Sequence, residues 1–124
     1  MKFILTDIDR YWWPVVVRVP DPERAGRYLE QELEVFFEPE SQDEAIARLE
    51  KSETLKTARE QIEHERQQLT DVVKGWRGVE DDDGNPFTFT ADNFKRAINK
   101  SWFRQALYRA YRESLSGEEA RLGN

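Results

Sequence analysis

From Trp12 to Val19 the chain alternates, with Trp13, Val15, Val17 and Val19 on one side and Trp12, Pro14, Val16 and Arg18 on the other. That period of two predicts a strand with one well-buried face. Pro14 cannot donate to a ladder, so the strand belongs at a sheet edge or starts near that residue. Phe3-Ile4-Leu5 predicts a short strand before it, with Asp7 to Arg10 as the turn. Pro20, Pro22 and Gly26 break the extended run. Beyond them Leu33, Val35 and Phe37 alternate with Glu32, Glu34 and Phe36, a third strand whose glutamates face water and which Pro39 ends.

After residue 41 the period changes. Ser41-Gln42-Asp43-Glu44 has the capping-box spacing, in which hydroxyl and carboxylate each satisfy an orphan amide at a helix start. Apolar residues then recur at helical steps through Ala45, Ile46 and Leu49, pause over 51–54, and resume as Leu55, Ala58, Ile62, Leu69, Val73 and Trp76. Residues 41–77 read equally as one long helix or as two with a break near Ser52. The helical pattern must stop by Gly78, and the acidic run of residues 78–90, with Gly84 and Pro86 inside it, is a turn. Thr90 is placed to cap a helix over 91–98, and Ser101 one over 102–115, with Phe94, Ala97, Ile98, Phe103, Leu107, Ala110 and Tyr111 facing inward. The expected architecture is α+β: a small N-terminal antiparallel sheet of about three strands packed on three or four helices. Residues 1–116 form one domain on this reading, with strands in 1–39, and 117–124 a flexible tail.

Composition narrows the chemistry. Of 124 residues 35% are charged, and there is no cysteine and one histidine, His64. Disulfides, thiolate metal sites and cysteine nucleophiles are excluded, and most hydrolytic triads and metal centres need more histidine. His64 stands between Glu63 and Glu65 and reads as a surface residue. Asp81, Asp83 and Gly84 resemble the middle of an EF-hand loop, but with Gly84 at the sixth position Val79 and Thr90 fall where the first and last carboxylates belong. No phosphate-binding loop or nucleophile elbow is present. The expectation is therefore no enzyme, no cofactor and no metal. No segment is long and apolar enough to span a bilayer, and the acidic turn at Asp7 precludes a signal-peptide core, so the cytoplasm is expected.

The net charge is −6. It is unevenly spread: residues 1–93 hold 12 Lys/Arg against 22 Asp/Glu, whereas 94–112 hold six basic residues and no acid. Within that segment Trp102, Phe103, Tyr108 and Tyr111 interleave with Lys100, Arg104, Arg109 and Arg112, as on a stacking and phosphate-binding surface. The same helical face is wanted by the core, and the arginines also balance the acidic helix before them. Nucleic-acid binding is thus the weaker reading and docking on a protein the stronger.

Val72-Val73-Lys74-Gly75-Trp76-Arg77-Gly78-Val79, then Asp82-Asp83-Gly84-Asn85-Pro86-Phe87-Thr88-Phe89, then Asn93-Phe94 and a last helix led by Trp102-Phe103 form an ordered series. It resembles the W-x-G-V, D-G-x-P-x-x-F, aromatic-helix arrangement of tail assembly chaperones from long-tailed bacteriophages and prophages. The front half is similar, with Val15 to Pro20, then Glu34-Val35-Phe36-Phe37 and a capped helix at Ser41. The charged stretch from Lys51 to Gln68 departs from that pattern. The resemblance implies a non-enzymatic factor of the host cytoplasm that coats the tape measure protein, a very long and largely helical chain, and helps gather tail tube subunits around it. In that family the gene often encodes a second, longer product made by ribosomal frameshifting. Such a role needs adaptable apolar surface, a charged exterior and weak self-association. The candidate partner-binding residues are Trp12, Trp13, Phe87, Trp102, Tyr108, Arg104 and Arg109. Trp76, Gly78, Gly84 and Pro86 are expected to shape the turn. The alternative is a DNA-binding or head-tail joining factor using the basic C-terminal helices.

Overall fold

The computed structural model describes residues 1–120. Two ten-residue strands, β1 (Tyr11–Pro20) and β2 (Tyr28–Phe37), pair antiparallel, with Trp13 opposite Val35 and Val15 opposite Leu33. Val15, Val17, Leu33, Val35 and Phe37 are all buried, so the alternation read from the sequence places its apolar set on the core face. The second strand begins at Tyr28, four residues before the expected alternation. The fold is α+β: a three-stranded antiparallel sheet in the order β1-β2-β3 with four helices.

One of the three expected strands is absent and another takes its place. Phe3-Ile4-Leu5 forms no strand, and Phe3 and Leu5 are 87% and 85% exposed. The sheet is completed by β3 (Val73–Arg77), which the sequence pattern assigned to the end of a helix. Val73 and Trp76 lie three apart, a helical step, yet both face the core. The reason is a bulge: Gly75 pairs with Phe36 while Val73 pairs with Phe37, so Lys74 is an extra residue. One extra residue flips the alternation and lets side chains three apart share a sheet face.

Residues 41–77 therefore hold two helices and a strand. α1 (Gln42–Ser52) starts at the complete Ser41/Glu44 capping box. α2 (Ala58–Val72) starts at Thr57, whose side chain accepts from the Glu60 amide, and ends at Val72, not at Gly78. The Val72 carbonyl then accepts from the Glu38 amide at 2.8 Å, which joins helix and sheet directly. α1 buries no residue, and Ile46 and Leu49 of the expected apolar stripe are exposed. It is held by polar contacts instead. Arg48 grips Glu40 at 2.8 Å, Gln68 donates to the same carboxylate at 3.0 Å, and the Arg48 carbonyl accepts from His64 Nε2 at 2.8 Å. His64 is thus a half-buried clasp with its proton on Nε2, a correction to its reading as a surface residue.

α3 (Ala91–Ile98) is capped by Thr90 as expected. α4 (Ser101–Leu115) differs, because Ser101 is its first helical residue and Lys100 occupies the cap without a side-chain bond. α4 crosses β1 and buries Ala106, Leu107, Ala110 and Tyr111 in one core with Leu69, Val72, Trp76, Phe94 and Ile98. The expected tail, 117–124, is exposed over residues 117–119, and its end lies outside the described residues.

β1 is an edge strand, and its free edge is blunted. Arg109 Nη2 donates to the Val16 carbonyl at 3.3 Å, so Val16 and the even-numbered residues of β1 direct their backbone groups outward. Pro14 and Pro20 share that parity and offer no N–H. A ten-residue edge that lacks two donors and has one acceptor occupied is a poor template for a further strand.

Candidate functional site

The acidic turn is a short hairpin between Val79 and Phe87. The Phe87 amide donates to the Val79 carbonyl at 2.8 Å, Glu80 bridges to Pro86, and Gly84 takes a φ of 81° that favours glycine. Asp81 Oδ1 accepts from the amides of Asp83 at 2.9 Å and Asn85 at 3.0 Å, so this carboxylate satisfies its own turn. Gly78, with φ of 82°, reverses the chain into the hairpin.

Trp76 fixes the hairpin to the sheet. Its indole N–H donates to the Phe87 carbonyl at 2.8 Å, and its ring meets Phe87 stacked at 6.0 Å and Phe89 edge-on at 5.2 Å. Phe94 and Phe103 close the other side. A buried indole with its N–H satisfied is a structural anchor.

Beside that anchor a groove of about 640 Å³ opens between the sheet, the hairpin and the joint of α3 with α4. Val17, Val19, Leu33, Val79, Phe87 and Trp102 give it an apolar floor. Arg96 and Lys100 form its helical rim, the guanidinium 5.3 Å from the Phe87 ring and the ammonium 5.6 Å from the Trp102 ring. Gln31 and Glu80 also line the groove, and Glu32 borders it from β2 with its side chain on the outer sheet face beside Val16. Among the described residues neither Arg96 nor Lys100 has a carboxylate partner. Each is held over a π face and keeps its remaining donors toward solvent.

The other sequence-derived candidates are engaged differently. Arg104 Nη1 donates to the Ile98 carbonyl at 2.7 Å and so closes the C-terminus of α3. The Tyr108 hydroxyl donates to the Glu65 carbonyl at 2.7 Å, tying α4 to α2, and burial raises its pKa. Arg109 caps the β1 edge, and Trp13 packs on the core face against Tyr11. Trp12 lies on the outer sheet face, its ring 4.9 Å from Phe36 with the Arg77 guanidinium 4.0 Å above it. Arg77 also meets Glu34 at 3.0 Å. No residue of this outer face is buried.

Of the seven candidates, Phe87 and Trp102 are brought together in this groove, and the other five do not line it. Val79 on the floor and Arg96 on the rim are groove residues that sequence reasoning did not single out, whereas Val17 and Val19 were placed on the buried strand face and Lys100 among the interleaved cations. Nothing local distinguishes Arg96 and Lys100 from Arg104 and Arg109, since that difference depends on which backbone carbonyl lies within reach.

A second, larger cleft lies between the start of β1 and the α1–α2 pair. Asp7, Asp9, Lys51 and Lys74 line it, and Glu40, Arg48, Gln68 and His64 in its wall are bonded to one another. The Glu40 carboxylate, by hydrogen bonding, raises the pKa of Arg48. No protein-family model matches the chain, and no curated protein or solved structure matches it.

Proposed function

We propose that this chain is a non-enzymatic tail assembly chaperone of a long-tailed phage or prophage, which keeps the tape measure protein soluble in the bacterial cytoplasm and helps recruit tail tube subunits. The observation that supports this reading is the groove: an apolar floor containing Phe87 and Trp102, rimmed by two cations without carboxylate partners. An amphipathic helix lays apolar anchors at i, i+3, i+4 and i+7 into such a groove, and acids flanking its stripe would meet Arg96 and Lys100. Among the described residues no helix is long and apolar enough to cross a membrane.

The DNA-binding alternative relied on the basic C-terminal helices. Arg104 and Arg109 each spend a donor on a backbone carbonyl, of Ile98 and of Val16, and do not gather with Arg96 and Lys100 in one cationic surface. The helical client is therefore the better fit.

Co-expression with the tape measure gene of the same genome tests the proposal. The expected result is a tape measure product that is insoluble alone, soluble with this chain, and co-eluting with it in size-exclusion chromatography. The pair R96E/K100E should lower recovery of the complex at least tenfold. No co-elution would reject the reading. Low-micromolar DNA binding with a steep salt dependence, abolished by R104E or R109E, would replace it with the alternative.

A further inference from the structure

The two long strands differ at their free edges. β1 is blunted, whereas β2 is covered along only part of its length. β3 pairs with it from Phe37 to Glu34 and no further, because Gly78, beside Leu33, turns the chain away at a positive φ. Val16 directs its backbone groups away from β2, so its partner Glu32 directs its own away from β1, and Glu30 and Tyr28 share that parity. Glu34 and Phe36, also of that parity, face β3. Beyond Glu34 the slot is open: among the described residues no other backbone group bonds Tyr28, Glu30 or Glu32 on that side, and residues 28–32 are all exposed.

An open edge is a template for one more strand, and β2 carries neither proline nor cation between Tyr28 and Glu32 to prevent it. The arm before β1, residues 1–10, does not fill the slot. Its Asp7, Ile8 and Asp9 line the polar cleft, toward the opposite end of the sheet, where Tyr11 pairs with Phe37. The side chains along the slot define what fits it. Glu30 and Glu32 stand on the outer sheet face, and among the described residues neither forms an ion pair, whereas Glu34 meets Arg77, its partner on β3, at 3.0 Å. Arg18, opposite Glu30, lies over the Tyr28 ring at 4.6 Å. Leu29, Gln31 and Leu33 stand on the inner face, where Gln31 and Leu33 line the groove and Leu29 is 38% exposed. A strand laid against β2 puts each side chain on the face of the residue opposite it. It therefore needs basic residues beside Glu30 and Glu32, as β3 supplies beside Glu34, and apolar ones beside Leu29, Gln31 and Leu33.

We infer that the free half of β2, Tyr28 to Glu32, takes an extended segment of a partner protein in which basic and apolar residues alternate, added antiparallel to β2 and in line with β3. The backbone groups of Glu30 and Glu32 hold the added strand, and their carboxylates select it. The inference stands whether or not the client is a tape measure protein, and its test contains none.

The probe is a capped peptide alternating valine and lysine, and the measurement is amide hydrogen exchange of the full chain by NMR. In the free protein the amides of Glu30 and Glu32 should exchange at least tenfold faster than those of Leu29 and Gln31, which face β1. Saturating peptide should slow Glu30 and Glu32 at least tenfold. Methylating the lysine amides of the peptide removes the donors that meet Glu30 and Glu32 and should abolish the effect. E30K/E32K, at exposed positions, should keep the wild-type circular dichroism, weaken binding at least tenfold, and accept instead a peptide alternating valine and glutamate. R96E/K100E should not weaken binding, which sets this site apart from that of a helical client. Slow exchange of Glu30 and Glu32 in the free chain, no slowing by the peptide, equal binding of the methylated peptide, or loss of binding in R96E/K100E each overturn the inference. Protection that grows with protein concentration in the absence of peptide also overturns it, since a second copy would then fill the slot.

Discussion

The joint of α3 with α4 and the middle of α4 carry the same ingredients, cations alternating with large rings, and the fold uses them in opposite ways. In the middle of α4 three polar tips end on backbone carbonyls: Arg104 on Ile98, Tyr108 on Glu65 and Arg109 on Val16. At the joint, Arg96 and Lys100 rest over Phe87 and Trp102 and have no carboxylate partner among the described residues. What separates the two regions is the supply of backbone carbonyls within reach. A helix C-terminus, a strand edge and a neighbouring helix each present one to α4, and a cation that satisfies it becomes part of the scaffold. A cation that meets only a ring face keeps donors for something else.

The largest test of that contrast sets one tryptophan against another. Trp76→Ala removes a buried ring with four aromatic neighbours and the bond that holds the hairpin, and should cost about 3–5 kcal/mol in urea unfolding. Trp102→Ala removes a half-buried ring from the groove wall and should cost about 1–2 kcal/mol. Equal losses would mean that the groove is core and the contrast is false.

Next come the cations. Arg104→Ala leaves the Ile98 carbonyl without its charged donor and should cost about 1–2 kcal/mol. Lys100→Ala, at an exposed cap without a side-chain bond, should change stability by less than about 0.5 kcal/mol. Capture of a helical client should show the reverse order, Lys100 mattering more than Arg109. Were Arg109→Ala to impair capture as strongly as Lys100→Ala, the cations of the two regions would be functionally alike.

The contrast also explains what could be read from the sequence. The faces of β1 and β2, the Ser41 capping box, the Thr90 cap and the hairpin at Gly84 are local devices, and each is formed. β3 was not legible because its bulge at Lys74 sets Val73 and Trp76 at a helical spacing. The arm was read as a strand because Phe3-Ile4-Leu5 has strand composition, and composition says nothing about whether an edge is free to receive it. Phe87 and Trp102 were legible as residues, but their meeting in one groove follows from the hairpin turning back onto α4.

The smallest expected effect separates carbonyl-bound cations from carboxylate-bound ones. Glu38 accepts from Arg10 at 3.1 Å and pairs with Lys74 at 3.4 Å, and the Arg10 bond first, then Lys74, hold its pKa below the ordinary carboxylate value. A depressed carboxylate contributes fully above its unfolded pKa, and that contribution is lost as pH falls through the lower, folded value. Acidification below about pH 4.3 should therefore loosen the root of the arm while Arg104 and Arg109 stay bound, since carbonyls do not titrate in this range. Side-chain NMR of the arginine Nε–H groups, followed from pH 6 downward, should show Arg10 alone among these three becoming mobile. Glu38→Gln should remove the transition at Arg10. Simultaneous release of Arg104 would mean that the C-terminus of α3 depends on a carboxylate as well, and would narrow the distinction between the two regions to Arg109.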